Sequence, residues 1–258
     1  MTRIGTRLAQ RAKEGRKAFV AFLTAGDPSI DRTVEAAVAM DEAGVDVLEL
    51  GVPFSDPLAD GPVIQRSSER ALGRGTTLST VLDAVRRIRQ KTELPLLLFS
   101  YYNPLLRHGL ERLAKEARDL GVDGVLVTDL PPEEAGPWLE VARPAGLDTV
   151  FLAAPTSPDE RLKRVAEASR GFVYAVSRTG VTGERQALSD EARPLVERIR
   201  ALTRVPVVLG FGISTPEQVA QVAAVADGVV VGSALVRFLE EHPGGDIGGQ
   251  VQWLKSAT

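Results

Sequence analysis

Glu49 stands at the end of a run that reads as a buried strand, Val45-Asp46-Val47-Leu48, and two further carboxylates follow in the adjoining loop. That loop is Pro53-Phe54-Ser55-Asp56-Pro57-Leu58-Ala59-Asp60-Gly61-Pro62. Carboxylates at a strand end and in the loop beside it can work as an acid/base pair. Pro53, Pro57 and Pro62 limit the loop's freedom, because each fixes its own φ and restricts the residue before it. The competing reading is a polar turn with caps, since most turns are rich in Asp, Gly and Pro. Glu49 argues against it. A strand that is apolar up to its last residue buries that end, and an unpaired buried carboxylate is costly.

Glycine builds a second constellation. Three glycine-bearing turns, Ser177-Arg178-Thr179-Gly180-Val181-Thr182-Gly183, Gly210-Phe211-Gly212-Ile213-Ser214 and Gly232-Ser233-Ala234, each follow a strand-like run. Glycine lets backbone N–H groups approach an anion, and a helix starting at Ser233 points its positive end at the same place. Each turn alone is an ordinary feature. At the ends of consecutive strands they point to a phosphate site. These loops hold no lysine, so backbone amides and Ser233 would do most of the binding.

Positioning these groups requires a repeating frame. Apolar runs at 18–23, 47–50, 96–99, 124–127, 149–152, 172–176, 207–209 and 228–231 read as strands apolar on both faces, as in a parallel sheet covered by helices. Between them, apolar residues recur at three and four, as in Val81/Leu82/Val85/Ile88 and Val196/Ile199/Leu202, the mark of amphipathic helices. Eight such units in 258 residues predict a (β/α)8 barrel, an α/β TIM barrel. The rival is a doubly wound open sheet, whose glycine-rich first turn is missing: Leu23-Thr24-Ala25-Gly26-Asp27-Pro28 has one glycine. An extra helix over about 4–14 is expected to plug the barrel bottom. No linker divides the chain, so one domain over 1–258 is expected. Barrel chemistry sits at the C-terminal strand ends. That rule gathers Glu49 and its loop, Tyr101-Tyr102-Asn103, Thr128-Asp129, Tyr174 and the three glycine turns on one rim.

Composition narrows the function. A formal charge of −3 offers no basic surplus for nucleic acid. No apolar run approaches membrane-spanning length, and the N-terminus lacks the apolar core of a secretory signal, so a cytoplasmic enzyme is expected. Cysteine is absent, which excludes disulfides, thiolate metal sites and a cysteine nucleophile. His108 and His242 lack metal-ligand spacing and read as surface residues; no metal is expected.

Taken together, these motifs resemble the tryptophan synthase alpha subunit family over nearly the whole chain. The carriers are the 53–62 string, the first strand and turn at 19–28, the 177–183 loop and the 210–214 turn. The resemblance implies a TIM-barrel lyase. It would cleave indole-3-glycerol phosphate to indole and glyceraldehyde 3-phosphate without a cofactor.

The resemblance also implies roles. Glu49 would donate a proton to the indole C3, Asp60 would accept a hydrogen bond from N1–H, and Tyr174 matches an active-site tyrosine. A Glu among apolar neighbours should hold its proton, whereas Asp60, in a polar loop near solvent, should stay ionised. Gly183, Gly212, Gly232 and Ser233 would bind the phosphate. Phe22, Tyr101, Leu126 and Phe211 could wall an indole pocket or equally belong to the barrel core. Asp129 is read either as fixing a neighbouring side chain or as a loop cap. Thr182 matches a lid threonine, and 178–188 is expected to close on ligand. The implied partner is the tryptophan synthase beta subunit in an α2β2 heterotetramer, with Pro53, Phe54, Asp56 and Pro57 toward it. Phe54 would anchor that interface or pack under its own loop.

Overall fold

The computed structural model describes residues 2–176, 190–210 and 212–256. Strand and helix alternate along the chain. The order is α1 (Arg3–Lys13), β1 (Ala18–Thr24), α2 (Ile30–Glu42), β2 (Val47–Gly51), α3 (Pro62–Gly73), α4 (Leu78–Arg89) and β3 (Leu96–Ser100). Then come α5 (Tyr102–His108), α6 (Leu110–Leu120), β4 (Gly124–Val127), α7 (Gly136–Ala142), β5 (Asp148–Val150), β6 (Leu152–Ala153), α8 (Asp159–Ala168) and β7 (Val173–Val176). The last are α9 (Ala192–Leu202), β8 (Val207–Gly210), α10 (Pro216–Ala223), β9 (Gly228–Val231), α11 (Ser233–Glu241) and α12 (Ile247–Lys255).

The strands form one parallel sheet in the order β5-β4-β3-β2-β1-β9-β8-β7-β6. Its two ends, β5 and β6, are consecutive in the chain and separated only by Phe151. The sheet therefore closes on itself as the expected (β/α)8 barrel. One difference stands out: the run 149–152 is not a single strand. Its lower part pairs with β4 and its upper part with β7, and the Phe151 carbonyl accepts the Tyr174 amide at 3.0 Å.

Parity along each strand separates two cores. Phe19, Ala21 and Leu23 of β1 face outward into the helix layer, with Leu48 and Leu50 of β2. Ala18, Val20, Val47, Leu97, Leu126, Val150, Phe172, Tyr174, Val208 and Val230 fill the barrel interior. Ile4 and Leu8, one helical turn apart on α1, join that interior cluster, so α1 plugs the bottom as expected. Buried acids hold it there. Asp46 accepts the Arg11 Nε at 2.6 Å and the Phe19 amide at 2.9 Å, and Asp123 accepts from Arg3 at 3.0 Å and from the Leu96 amide at 2.8 Å.

Candidate active site

A cavity opens at the C-terminal strand ends. Phe22, Glu49, Asp60, Ile64, Phe99, Thr128, Leu152, Tyr174, Val176 and Val230 line it, with Ala59, Gly212, Gly232 and Ser233. Apart from the two carboxylates its wall is mostly apolar, as small-molecule pockets are.

Glu49 continues the inward parity of Val47 and ends up fully buried. Neither of its carboxylate oxygens has a hydrogen-bond partner among the described residues. Burial without compensation disfavours the charged form and pushes the carboxyl up to about 8. Asp60 departs from expectation. It is half-buried rather than solvent-facing, and burial pushes it up to about 6. Tyr101 holds the loop at this depth, and its hydrogen bond offsets part of that rise. Its hydroxyl donates to Asp60 Oδ2 at 3.1 Å and accepts the Ala59 amide at 2.9 Å. The Gln65 side chain ties the same turn by donating to the Asp60 carbonyl at 2.8 Å. The two environments still separate the pair: near pH 7 Asp60 is mainly ionised and Glu49 mainly protonated.

Tyr174, the second residue of β7, is buried and lines the cavity. Burial, with the charges of Glu49 and Asp60, pushes its hydroxyl far above the ordinary tyrosine range. The hydroxyl lies against Gly210, where an added Cβ would come within 2.5 Å of it. Gly232 and Ser233, at the start of α11, and Gly212, which turns with φ 74°, also line the cavity. A helix start beside glycines is the kind of arrangement that can receive an anion.

The remaining expectations fall in different places. Phe22 lines the cavity, edge-to-face on Phe99 at 5.1 Å. Leu126 does not line it; it points into the closed barrel interior, one inward step below Thr128, which does. Tyr101 stands behind Asp60 rather than on the cavity wall. Asp129 accepts the Tyr102 amide at 2.7 Å and so fixes the start of α5. Pro53 is buried, and Phe54 packs under its own loop with its ring 5.0 Å from that of Tyr101. Ser55, Asp56, Leu58 and Ala59 are the exposed members, Leu58 at 87%. Gly183, Thr182, Phe211 and all of 178–188 lie outside the described residues. His108, expected at the surface, is half-buried and bonded to Glu116 at 2.7 Å. No metal-binding group of His, Cys, Asp or Glu occurs among the described residues.

Phe99, Leu152 and Val176 were not singled out from sequence, and Thr128 was placed on the rim with Asp129 but given no role. The signal was present: each of the four lies two residues beyond a residue of the barrel interior, Leu97, Leu126, Val150 and Tyr174 in turn.

The family model described as tryptophan synthase alpha chain matches residues 8–255. The chain belongs to that family. Among similar tryptophan synthase alpha chains, that of Geobacter sulfurreducens is 53% identical over 257 residues, covering 100% of this chain and 97% of its own. That of Solibacter usitatus is 54% identical over 242 residues, covering 94% and 91%. Of solved structures, Mycobacterium tuberculosis tryptophan synthase superposes with a TM-score of 0.93 at 40% identity, over 99% of this chain and 98% of that one. The Legionella pneumophila alpha subunit gives 0.89 at 36%, over 100% and 97%. As a tryptophan synthase alpha chain, the protein is a carbon–carbon lyase of L-tryptophan biosynthesis that cleaves indole-3-glycerol phosphate to indole and glyceraldehyde 3-phosphate. The family works with a beta subunit, and no helix among the described residues is long and apolar enough to cross a membrane.

Proposed function

We propose that Glu49 and Asp60 carry the retro-aldol cleavage, with Tyr174 shaping the cavity between them. Breaking the bond from indole C3 to the side chain directly would leave charge on an aromatic carbon. Protonating C3 first gives an indolenine that can accept the electron pair. Glu49, proton-bearing and without a hydrogen-bond partner among the described residues, is the donor. Asp60, ionised, accepts the N1–H hydrogen bond and stabilises the positive charge growing there. The glutamate left ionised by the first step then takes the proton of the hydroxyl beside the scissile bond. The C3–carbon bond breaks, its electrons restore the indole, and the hydroxyl carbon becomes the aldehyde.

Gly212, Gly232 and Ser233 hold the phosphate at the start of α11, and Phe22 with Phe99 flanks the ring. Gly183, Thr182 and Phe211 complete this reading as phosphate, lid and pocket residues. The observation that carries it is the pair of carboxyls on one apolar cavity with opposite protonation near pH 7. The test is indole release from indole-3-glycerol phosphate by Glu49→Gln and Asp60→Asn. Each should lose at least ~100-fold in kcat. Turnover surviving in both sinks the assignment.

The partner in this reading is the beta subunit of an α2β2 heterotetramer that receives indole internally, in the cytoplasm. Exposed Leu58 and Asp56, on a loop stiffened by Pro53 and Pro57, support an interface there, with Phe54 bracing the loop from beneath.

A further inference from the structure

We propose that Arg70 is a positioning residue for Asp60, holding α3 against α11 so that a phosphate seated at the start of α11 sets where the catalytic carboxylate stands. The inference rests on the readings of Asp60 and Ser233 given above and adds the link between them.

Asp60 rides on the first turn of α3. Gly61 is the N-cap of that helix. Gln65 donates from its amide to the Gly61 carbonyl at 2.9 Å and from its side chain to the Asp60 carbonyl at 2.8 Å. Where α3 goes, the Asp60 turn follows. Val63, Ser67 and Arg70 recur at four and three residues, so they share one face of α3. Ser67 shares a 2.6 Å hydrogen bond with Thr24, the last residue of β1. Arg70 grips the buried carboxylate of Asp27 with two nitrogens, at 3.0 and 2.6 Å, and its third nitrogen donates to Glu240 of α11 at 2.7 Å. Arg74 adds a longer contact to the same Asp27 carboxylate at 3.4 Å. Val236, one turn before Glu240 on α11, belongs to one apolar cluster with Val63, Ile64 and Phe22. The two helices therefore lie side by side and run in one direction, joined by apolar side chains in their first turns and by Arg70 further along.

Both helices begin at the cavity. Asp60 and Ile64 line it at the start of α3, and Gly232 and Ser233 line it at the start of α11. The Arg70 and Glu240 side chains are 27% and 33% exposed, and so open an ion pair adds little to stability. What it adds is geometry. A guanidinium is a planar fork, so once Asp27 engages two nitrogens the direction of the third is fixed, and the place of Glu240 with it. A lysine would keep the charge and lose that fork. The phosphate is remote from the bond that breaks, and its binding energy raises kcat only where it is carried to the reacting groups. The brace from α11 through Arg70 to α3 carries it to Asp60.

The experiment uses the full chain as the parent, as Glu240→Gln, which cuts the arm to α11, as Arg70→Lys, which loses the fork, and as the double variant. Indole release is measured from indole-3-glycerol phosphate, and from indole-3-glycerol, the same molecule without its phosphate, with and without inorganic phosphate. On the full substrate each single variant should lower kcat about five- to twenty-fold with KM changed less than about two-fold. The double variant should lose no more than the worse single one, because both cut one link. Inorganic phosphate should speed the parent on indole-3-glycerol by about ten-fold or more, and each variant by less than about three-fold. An unaltered kcat in Glu240→Gln, losses that multiply in the double variant, or a parent that inorganic phosphate does not activate would overturn the proposal. So would equal losses on the two substrates, the mark of a pair that only holds the fold. If Arg70→Lys does not fold, Glu240→Gln decides alone. Asp60→Asn run alongside separates the levels. If it retains turnover, the reading of Asp60 itself fails; if it is inactive while Glu240→Gln is normal, only the role of Arg70 fails.

Discussion

Phe22 and Glu49 are register partners on adjacent parallel strands, and both face the same cavity. Parallel pairing turns register partners to one side of the sheet. Glu49 therefore has apolar register partners on both sides, Phe22 on β1 and Leu97 on β3, instead of polar groups. This pairing keeps the Glu49 proton in place at a pH where an ordinary glutamate has lost it.

The first consequence is a bell-shaped pH dependence. Asp60 must be ionised and Glu49 protonated, and their carboxyls lie at about 6 and about 8. The kcat/KM profile of the wild type should rise through about 6, level off near 7 and fall through about 8. Asp60→Asn should erase the acid limb together with most of the activity. A profile flat from pH 5 to 9 would contradict the assignment.

Glu49 should also weaken the fold as pH rises. Below about 4.5 the carboxyl is protonated in folded and unfolded chains alike. Between 4.5 and about 8 the unfolded chain ionises while the folded one keeps its proton, so stability falls with pH and then levels off. Replacement by methionine removes this burden. Glu49→Met should be inactive yet more stable than the parent by on the order of 2–4 kcal/mol at pH 8, with little difference at pH 4.5. Urea denaturation at the two pH values checks it.

A third prediction concerns the seat of Tyr174. A Cβ at position 210 would lie 2.5 Å from the Tyr174 hydroxyl and 3.0 Å from the Val230 Cβ. Gly210→Ala should push the ring into the cavity, cost about 1–3 kcal/mol and lower kcat/KM by ~10-fold or more. Adding Tyr174→Phe removes the closest of these contacts. Thermal melts should then show the double variant more stable than Gly210→Ala alone.

The phosphate end can be tested by charge. Ser233→Asp places a carboxylate at the first residue of α11, where it competes with the phosphate for the helix amides. KM should rise by ~10-fold or more with kcat nearly kept, and inhibition by inorganic phosphate should weaken in parallel. The melting temperature should hold or rise slightly, because an acid suits a helix start. A KM equal to the parent's would remove Ser233 from the phosphate site.

Much of this frame was legible in the sequence. Strands apolar on both faces, such as Val47–Gly51 with one charged residue in it, fit a covered parallel sheet, and that Glu49 faces the cavity at the C-terminal strand ends. What escaped was depth. Leu126 and Thr128 share a face of the chain, and whether one or the other meets ligand depends on how far the barrel floor rises, which α1 and the tilt of the strands decide. Asp60 was misjudged for a similar reason. Its loop composition is that of a solvated turn, and the Tyr101 hydroxyl, distant in sequence, holds it at the wall together with Gln65. Phe54 was ambiguous from sequence because both outcomes use the same aromatic ring; it braces the loop against Tyr101.

The interruption at Phe151 makes the barrel a split ring at its upper rim. Below it β5 holds β4, and above it β6 holds β7, so the last residue of β4, Val127, has no ladder partner on that side. Thr128 and Leu152 stand on the two lips of this slit, and both face the cavity. A closed hoop of hydrogen bonds resists widening everywhere at once. A hoop with one gap yields at the gap, so the wall around a bulky planar ring can spread there without breaking a single rung.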